Sequence, residues 1–170
     1  MKISILLFLI LCHSQVSSQR FAGDYNQALM ESQIVEAISN RLSDGDIFMT
    51  SDNEYFIVIR GSNERIPLRH PKMEFIEDGN RYEVAVEDLE DVLVCEKLHS
   101  YYHTQIEGEF EGWDGATKFR MMDGQIWQQS TYDYHYYYAY SPRVFMYNYN
   151  GSWFLKVEND SRIVEVFRVN

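Results

Sequence analysis

The chain has 170 residues, with 15 Lys and Arg against 26 Asp and Glu, for a formal charge of −11. So acidic a balance excludes nucleic acid and anionic membrane surfaces as partners, because both need a basic patch. The composition is otherwise that of a globular chain, unusually aromatic with 13 Tyr, and its length fits one domain or two small ones.

Residues 1–18 read as a secretory signal peptide. Lys2 precedes the apolar run Ile3 to Cys12, which is too short to span a bilayer, and Val16-Ser17-Ser18 offers a cleavage site before Gln19. Leu11 is too bulky for the small residue expected before a lipidated Cys12, so simple cleavage and no anchor are expected. The exported chain, periplasmic or extracellular, then carries 14 basic and 26 acidic residues, a formal −12. No later run is long and apolar enough to form a transmembrane segment. Only Cys95 remains of the cysteines, so no intrachain disulfide can form. Its place after Val92-Leu93-Val94 reads as a buried inert thiol, with an intermolecular disulfide as the second reading.

Residues 19–43 are expected to supply one amphipathic α-helix, running from Asp24 to Leu42. Asp24 can cap it, with Gln27 three residues on. Met30, Ile34, Ala37 or Ile38, and Leu42 form an apolar stripe at helical spacing. A first β module, residues 44–98, follows. It has an Asp44-Gly45 corner, a run Tyr55 to Ile59 that is apolar on both faces, a turn at Glu77 to Asn80 and an acidic turn at Glu87 to Asp91. Residues 99–107 read as an ordered connection or a strand, not a flexible tether, since they are neither Gly/Ser-rich nor Pro-rich.

The second β module, residues 108–170, is organised around Asp123-Gly124, which sits between strand-like runs Thr117 to Met122 and Gln125 to Ser130 and signals a hairpin. Next, Tyr134, Tyr136, Tyr138 and Tyr140 alternate with His135, Tyr137 and Ala139, so the two sets face opposite sides of a strand. Ser141-Pro142 ends it. Strands are expected over Arg143 to Tyr147, Trp153 to Val157 after the turn Asn150-Gly151, and Ile163 to Val169. The first module repeats this plan: Asp44-Gly45-Asp46-Ile47-Phe48 against Asp123-Gly124-Gln125-Ile126-Trp127, Pro71 against Pro142, and Val92 to Cys95 against Ile163 to Val166. The offset is 79 residues at the Asp-Gly pair and 71 from the proline onward, so the first copy carries 8 more. An internal duplication is the reading.

Three motifs in the second copy also match a known pattern: Gly112-Trp113-Asp114-Gly115, Gly124-Gln125-Ile126-Trp127-Gln128-Gln129, and the Tyr-rich strand ending in Ala139-Tyr140-Ser141-Pro142. In these, residues 108–169 resemble a small module found at the C-terminus of many bacterial proteins, for which no function is established. The resemblance implies a small SH3-like β-barrel and no particular activity. The first copy lacks the Trp turn, the double Gln and the Tyr ladder. The expected fold is therefore mainly β, two tandem SH3-like barrels preceded by one helix.

Catalytic motifs are thin. Cys95, His99 and His103 are spaced by four, which would suit zinc only on a helix, and the β-branched run around Cys95 argues against one. Neither a metal nor a cofactor is expected. Ser130, Ser141 and Ser152 are present and His135 is near the first two in sequence, but there is no Gly-x-Ser-x-Gly elbow, and Asp133 is read as facing away from His135. Glu107, Glu109 and Glu111, like Asp88, Glu90 and Asp91, read as solvated edges that block aggregation. Asn150-Gly151-Ser152 and Asn159-Asp160-Ser161 fit glycosylation acceptors and also read as turns. The candidate partner-binding set is aromatic: Trp113, Trp127, Tyr134, Tyr136, Tyr138 and Tyr140. Such a row can stack on glycan rings or hold a Pro-rich peptide in a groove, can meet a second copy of the chain, or can simply be a cross-strand ladder worth roughly 0.2–1 kcal/mol per pair. The expectation is a non-catalytic exported protein with a protein or glycan partner. The alternative is a secreted hydrolase or inhibitor using loop residues near His135.

Overall fold

The computed structural model describes residues 29–37, 41–66 and 70–169, and every regular element among them is a strand. The expected signal peptide lies outside the described residues. The chain divides into two compact units, one ending at Lys97 and the other beginning at Leu98.

The first unit contains β1 (Leu29–Ala37), β2 (Ile47–Thr50), β3 (Tyr55–Arg60), β4 (Lys72–Asp78), β5 (Arg81–Val86) and β6 (Val92–Lys97). They close into a six-stranded antiparallel barrel in the order β1-β2-β3-β6-β5-β4. The expected helix is corrected here: Leu29–Ala37 is a strand, while residues 24–28 and 38–40 lie outside the described residues. The stripe that suggested a helix does not share one environment, since Ile34 is buried and Met30 is exposed. A strand wins because β1 is hydrogen-bonded on both sides, to β4 over Leu29–Gln33 and to β2 over Ile34–Ala37. β2 is the next strand, but β4 lies beyond two intervening strands, and closing the barrel leaves no open edge. Phe48, Phe56, Phe75, Val84 and Leu93 fill the interior, with Phe56 packed 5.0 Å from Phe75 and 5.4 Å from Tyr82 between ring centres. Phe56, Ile57 and Val58 are all buried, as the doubly apolar run implies. Cys95 is fully buried in this core, and burial pushes its thiol well above the usual range.

The second unit contains β7 (Ser100–Gln105), β8 (Glu109–Trp113), β9 (Lys118–Arg120), β10 (Ile126–Gln129), β11 (His135–Tyr140), β12 (Arg143–Tyr149), β13 (Ser152–Val157) and β14 (Ile163–Val169). Six form one antiparallel sheet in the order β7-β12-β13-β14-β10-β9, and β11 pairs with β8 in a separate two-stranded ribbon. The stretch expected to be a connection is therefore mostly β7, which runs alongside β12 from Ser100 opposite Asn148 to Gln105 opposite Arg143. Just past the two sheet edges, Ile106 bridges Met121, the Glu107 N–H donates to the Arg120 carbonyl (2.8 Å) and the Met122 N–H donates to the Gln105 carbonyl (2.8 Å). Trp113, Phe119, Trp127, Met146, Leu155 and Val166 build the core beneath.

Both expected turns hold their hairpins. Asn150-Gly151 connects Tyr149 and Ser152, which face each other across β12 and β13. At Asp123-Gly124 only Gly124 has a left-handed backbone (φ 84°), and its N–H donates to the Met121 carbonyl at 2.9 Å. The Met121 N–H donates to the Gln125 carbonyl at 2.9 Å, so the loop is the three residues Met122 to Gly124 with the glycine in the left-handed last position. Among the described residues no helix is long and apolar enough to cross a membrane.

Candidate functional site

The β8–β11 ribbon carries the candidate residues. Along β11 exposure alternates: His135, Tyr137 and Ala139 are half-buried, while Tyr136, Tyr138 and Tyr140 are exposed. Tyr134, just ahead of the strand, joins the outward row, and the four tyrosines are 64%, 64%, 55% and 72% exposed in chain order. The inner row packs downward. Tyr137 lies 6.4 Å from Phe110 and 6.4 Å from His135, ring centre to ring centre.

Trp113 and Trp127 do not join that surface. They are 2% and 3% exposed, which corrects the expectation that their rings face a partner. Trp113 sits opposite His135 across the ribbon, on the inner face, with ring centres 4.8 Å apart. Trp127 packs against Trp153, with ring centres 5.3 Å apart and the rings tilted by 56°. Large rings on inward-facing positions add more by filling the core than by meeting solvent.

A polar network fixes the ribbon to the loops beside it. The Trp113 indole N–H donates to Asp133 Oδ2 at 3.0 Å. Asp133 also faces Arg162, whose guanidinium approaches to 3.9 Å. The Trp113 bond is the first cause that holds the Asp133 carboxyl below the usual carboxylate range, with Arg162 and His135 adding to it against a desolvation that works the other way. His135 Nε2 lies 2.7 Å from Oδ2 of Asp160, which is buried, and Asp160 Oδ1 accepts the Arg162 N–H at 3.0 Å. Gln129, also buried, accepts the Gly115 N–H (2.6 Å) and donates to the Asp133 carbonyl (2.8 Å). Asp133 thus lies on the same side as His135, joined to it through Trp113. A spacing of two residues along an extended chain does put side chains on one face. The sequence marks Gln129 only as half of the double Gln and Asp160 only as the middle of an Asn-x-Ser acceptor, with no polar network implied for either. The signal available for Gln129 was its period-two relation to Trp127.

Beside the ribbon runs a groove of about 610 Å³. Phe110, Trp113 and Phe119 reach it from the core, Glu107, Glu109 and Glu111 from one bank, and Lys118 and Arg120 from the other. Tyr134 and Tyr136 line it from the outward row. Cys95, His99 and His103 are not gathered: Cys95 is in the first unit's core, and His103 packs at 5.0 Å against Phe145. Among the described residues no group of three or more His, Cys, Asp and Glu could hold a metal ion. No family model, curated protein or solved structure matches the chain.

Proposed function

We propose that the chain is an exported, non-catalytic binding protein whose two β units are SH3-like copies of one ancestral unit, and that a protein or glycan partner is captured on the tyrosine row of β11. One observation carries this. Four tyrosines share a face that is more than half exposed, while the opposite face of the same strand does the packing. Solvent-facing aromatic rings in a row cost apolar exposure that a partner would relieve, and Tyr binds with little conformational entropy to lose. The duplication is supported by two antiparallel meanders, β4-β5-β6 and β12-β13-β14, each preceded by two strands, the first of which follows an Asp-Gly corner.

The test is a paired capture experiment. The wild-type chain and a Tyr136→Ala/Tyr140→Ala double variant are presented to the native envelope and culture supernatant and to a glycan array. The variant should lose at least about tenfold in capture while its melting temperature is unchanged. Equal capture by both proteins would count against the reading.

A second reading, hydrolase or inhibitor chemistry around His135, draws on the His135–Asp160 pair, an imidazole held by a buried carboxylate. Loss of a measured hydrolytic or inhibitory activity in His135→Ala, at unchanged thermal stability, would favour it over the binding role.

A further inference from the structure

We infer that the partner of the tyrosine face, an inference that rests on the binding role proposed above, is an extended peptide bearing Lys or Arg, which adds as a β-strand along the open edge of β8. The first support is backbone. β8 is paired on one side only, to β11, and β9 is paired as a strand only to β10, its far edge being bonded at one end, where the Arg120 carbonyl accepts the Glu107 N–H, and open toward Lys118. The groove lies between the open parts of these two edges. An open edge presents a row of N–H and C=O groups, and an incoming extended chain can satisfy them. Both ends of the groove are already fixed. At one end Thr117 Oγ1 accepts the Asp114 N–H (3.0 Å) and donates to Asp114 Oδ1 (2.8 Å). At the other Ile106 bridges Met121. Preorganised edges lose little freedom on binding.

Charge selects the occupant. Glu107, Glu109 and Glu111 line the β8 bank, and among the described residues none of them enters an ion pair. The cations of the groove, Lys118 and Arg120, belong to the β9 bank. Basic side chains of the peptide therefore belong over β8, beside Tyr134 and Tyr136, whose exposed rings can take a cation on their faces. A net charge of −11 draws cationic ligands and repels a second copy of this chain. A neutral glycan would use the tyrosines but leave the three carboxylates and the strand edges without a role.

The probe is a short fluorescent peptide alternating Lys and Thr, titrated into the full chain by anisotropy. Three comparators accompany it: the same peptide N-methylated at alternate backbone nitrogens, a Glu-Thr peptide, and a neutral chito-oligosaccharide. The Lys-Thr peptide should bind, weaken as salt rises, and shift the backbone amides of β8 and β9. The N-methylated peptide keeps the charge but loses strand donors, and should bind about tenfold more weakly. Glu109→Gln with Glu111→Gln should weaken the Lys-Thr peptide roughly fivefold at an unchanged melting temperature. Equal binding by the N-methylated peptide, or absent binding by the Lys-Thr peptide, overturns the inference. If the oligosaccharide shifts the tyrosine resonances while the peptide does not bind, this inference falls and the tyrosine-face reading stands. If neither probe shifts them and the Tyr136→Ala/Tyr140→Ala variant keeps native capture, both fall.

Discussion

At Gly112 an added methyl group would meet the His135 carbonyl oxygen at 1.9 Å, on a backbone with φ +97°. The clash is with the partner strand itself, at the point where the β8–β11 register slips between Tyr136 and Ala139. Gly124 has a similar φ of +84° but open space around it. Gly124→Ala should therefore cost about 1 kcal/mol, and Gly112→Ala at least about 2–3 kcal/mol, because it adds a steric conflict to the backbone strain. Chemical denaturation of the two variants measures the difference. Asp133 gives a pH prediction. Its folded pKa is depressed, so its contribution to stability is present above the ordinary carboxylate value of about 4 and is lost as the pH falls through the lower folded value. Asp133→Asn keeps an acceptor for the Trp113 N–H but not the charge. The wild-type advantage in melting temperature over this variant should be constant at neutral pH and shrink on acidification below about pH 4.

At the scale of one element, β11 separates packing from recognition. Tyr137 points inward, where its hydroxyl donates to the Glu158 carbonyl at 3.4 Å and its ring faces Phe110. Tyr138, its neighbour, points out and is 55% exposed. Tyr137→Ala should destabilise the second unit by about 1–3 kcal/mol, whereas Tyr138→Ala should stay within about 0.5 kcal/mol. Thermal melts of the two variants test this, and equal losses would mean that the rows do not divide the work. This alternation was legible in the sequence, because a period of two survives whichever strand becomes the neighbour. The helix expected over Asp24–Leu42 shows the opposite case. Its apolar residues fit a period of 3.6, but β2 and β4 supply the backbone partners of β1, and β4 comes from beyond two intervening strands, which local periodicity does not report.

At the scale of the whole molecule, each unit carries its own core. Phe56 touches Phe48, Phe75 and Tyr82 in the first, and Leu155 is fully buried in the second. Phe56→Ala should cost about 3–5 kcal/mol and Leu155→Ala about 2–5 kcal/mol. Amide hydrogen exchange should report each loss in the strands that line the affected core: β2 to β6 for Phe56, and β12 to β14 for Leu155.

By itself the sequence determined most of the strands from Ile47 onward, with β7 and β8 as the exceptions, the Asp-Gly and Asn-Gly turns, and the outward tyrosine row. These depend on side-chain alternation and on Gly, Asn and Pro at corners, which act over a few residues. Only the tertiary structure decided that Leu29–Ala37 closes a barrel, that Trp113 and Trp127 are core, that His135 meets Asp160, and that β8 and β9 leave a groove between them. Each of those outcomes depends on which distant segments become neighbours, and burial and backbone pairing are settled only when they meet.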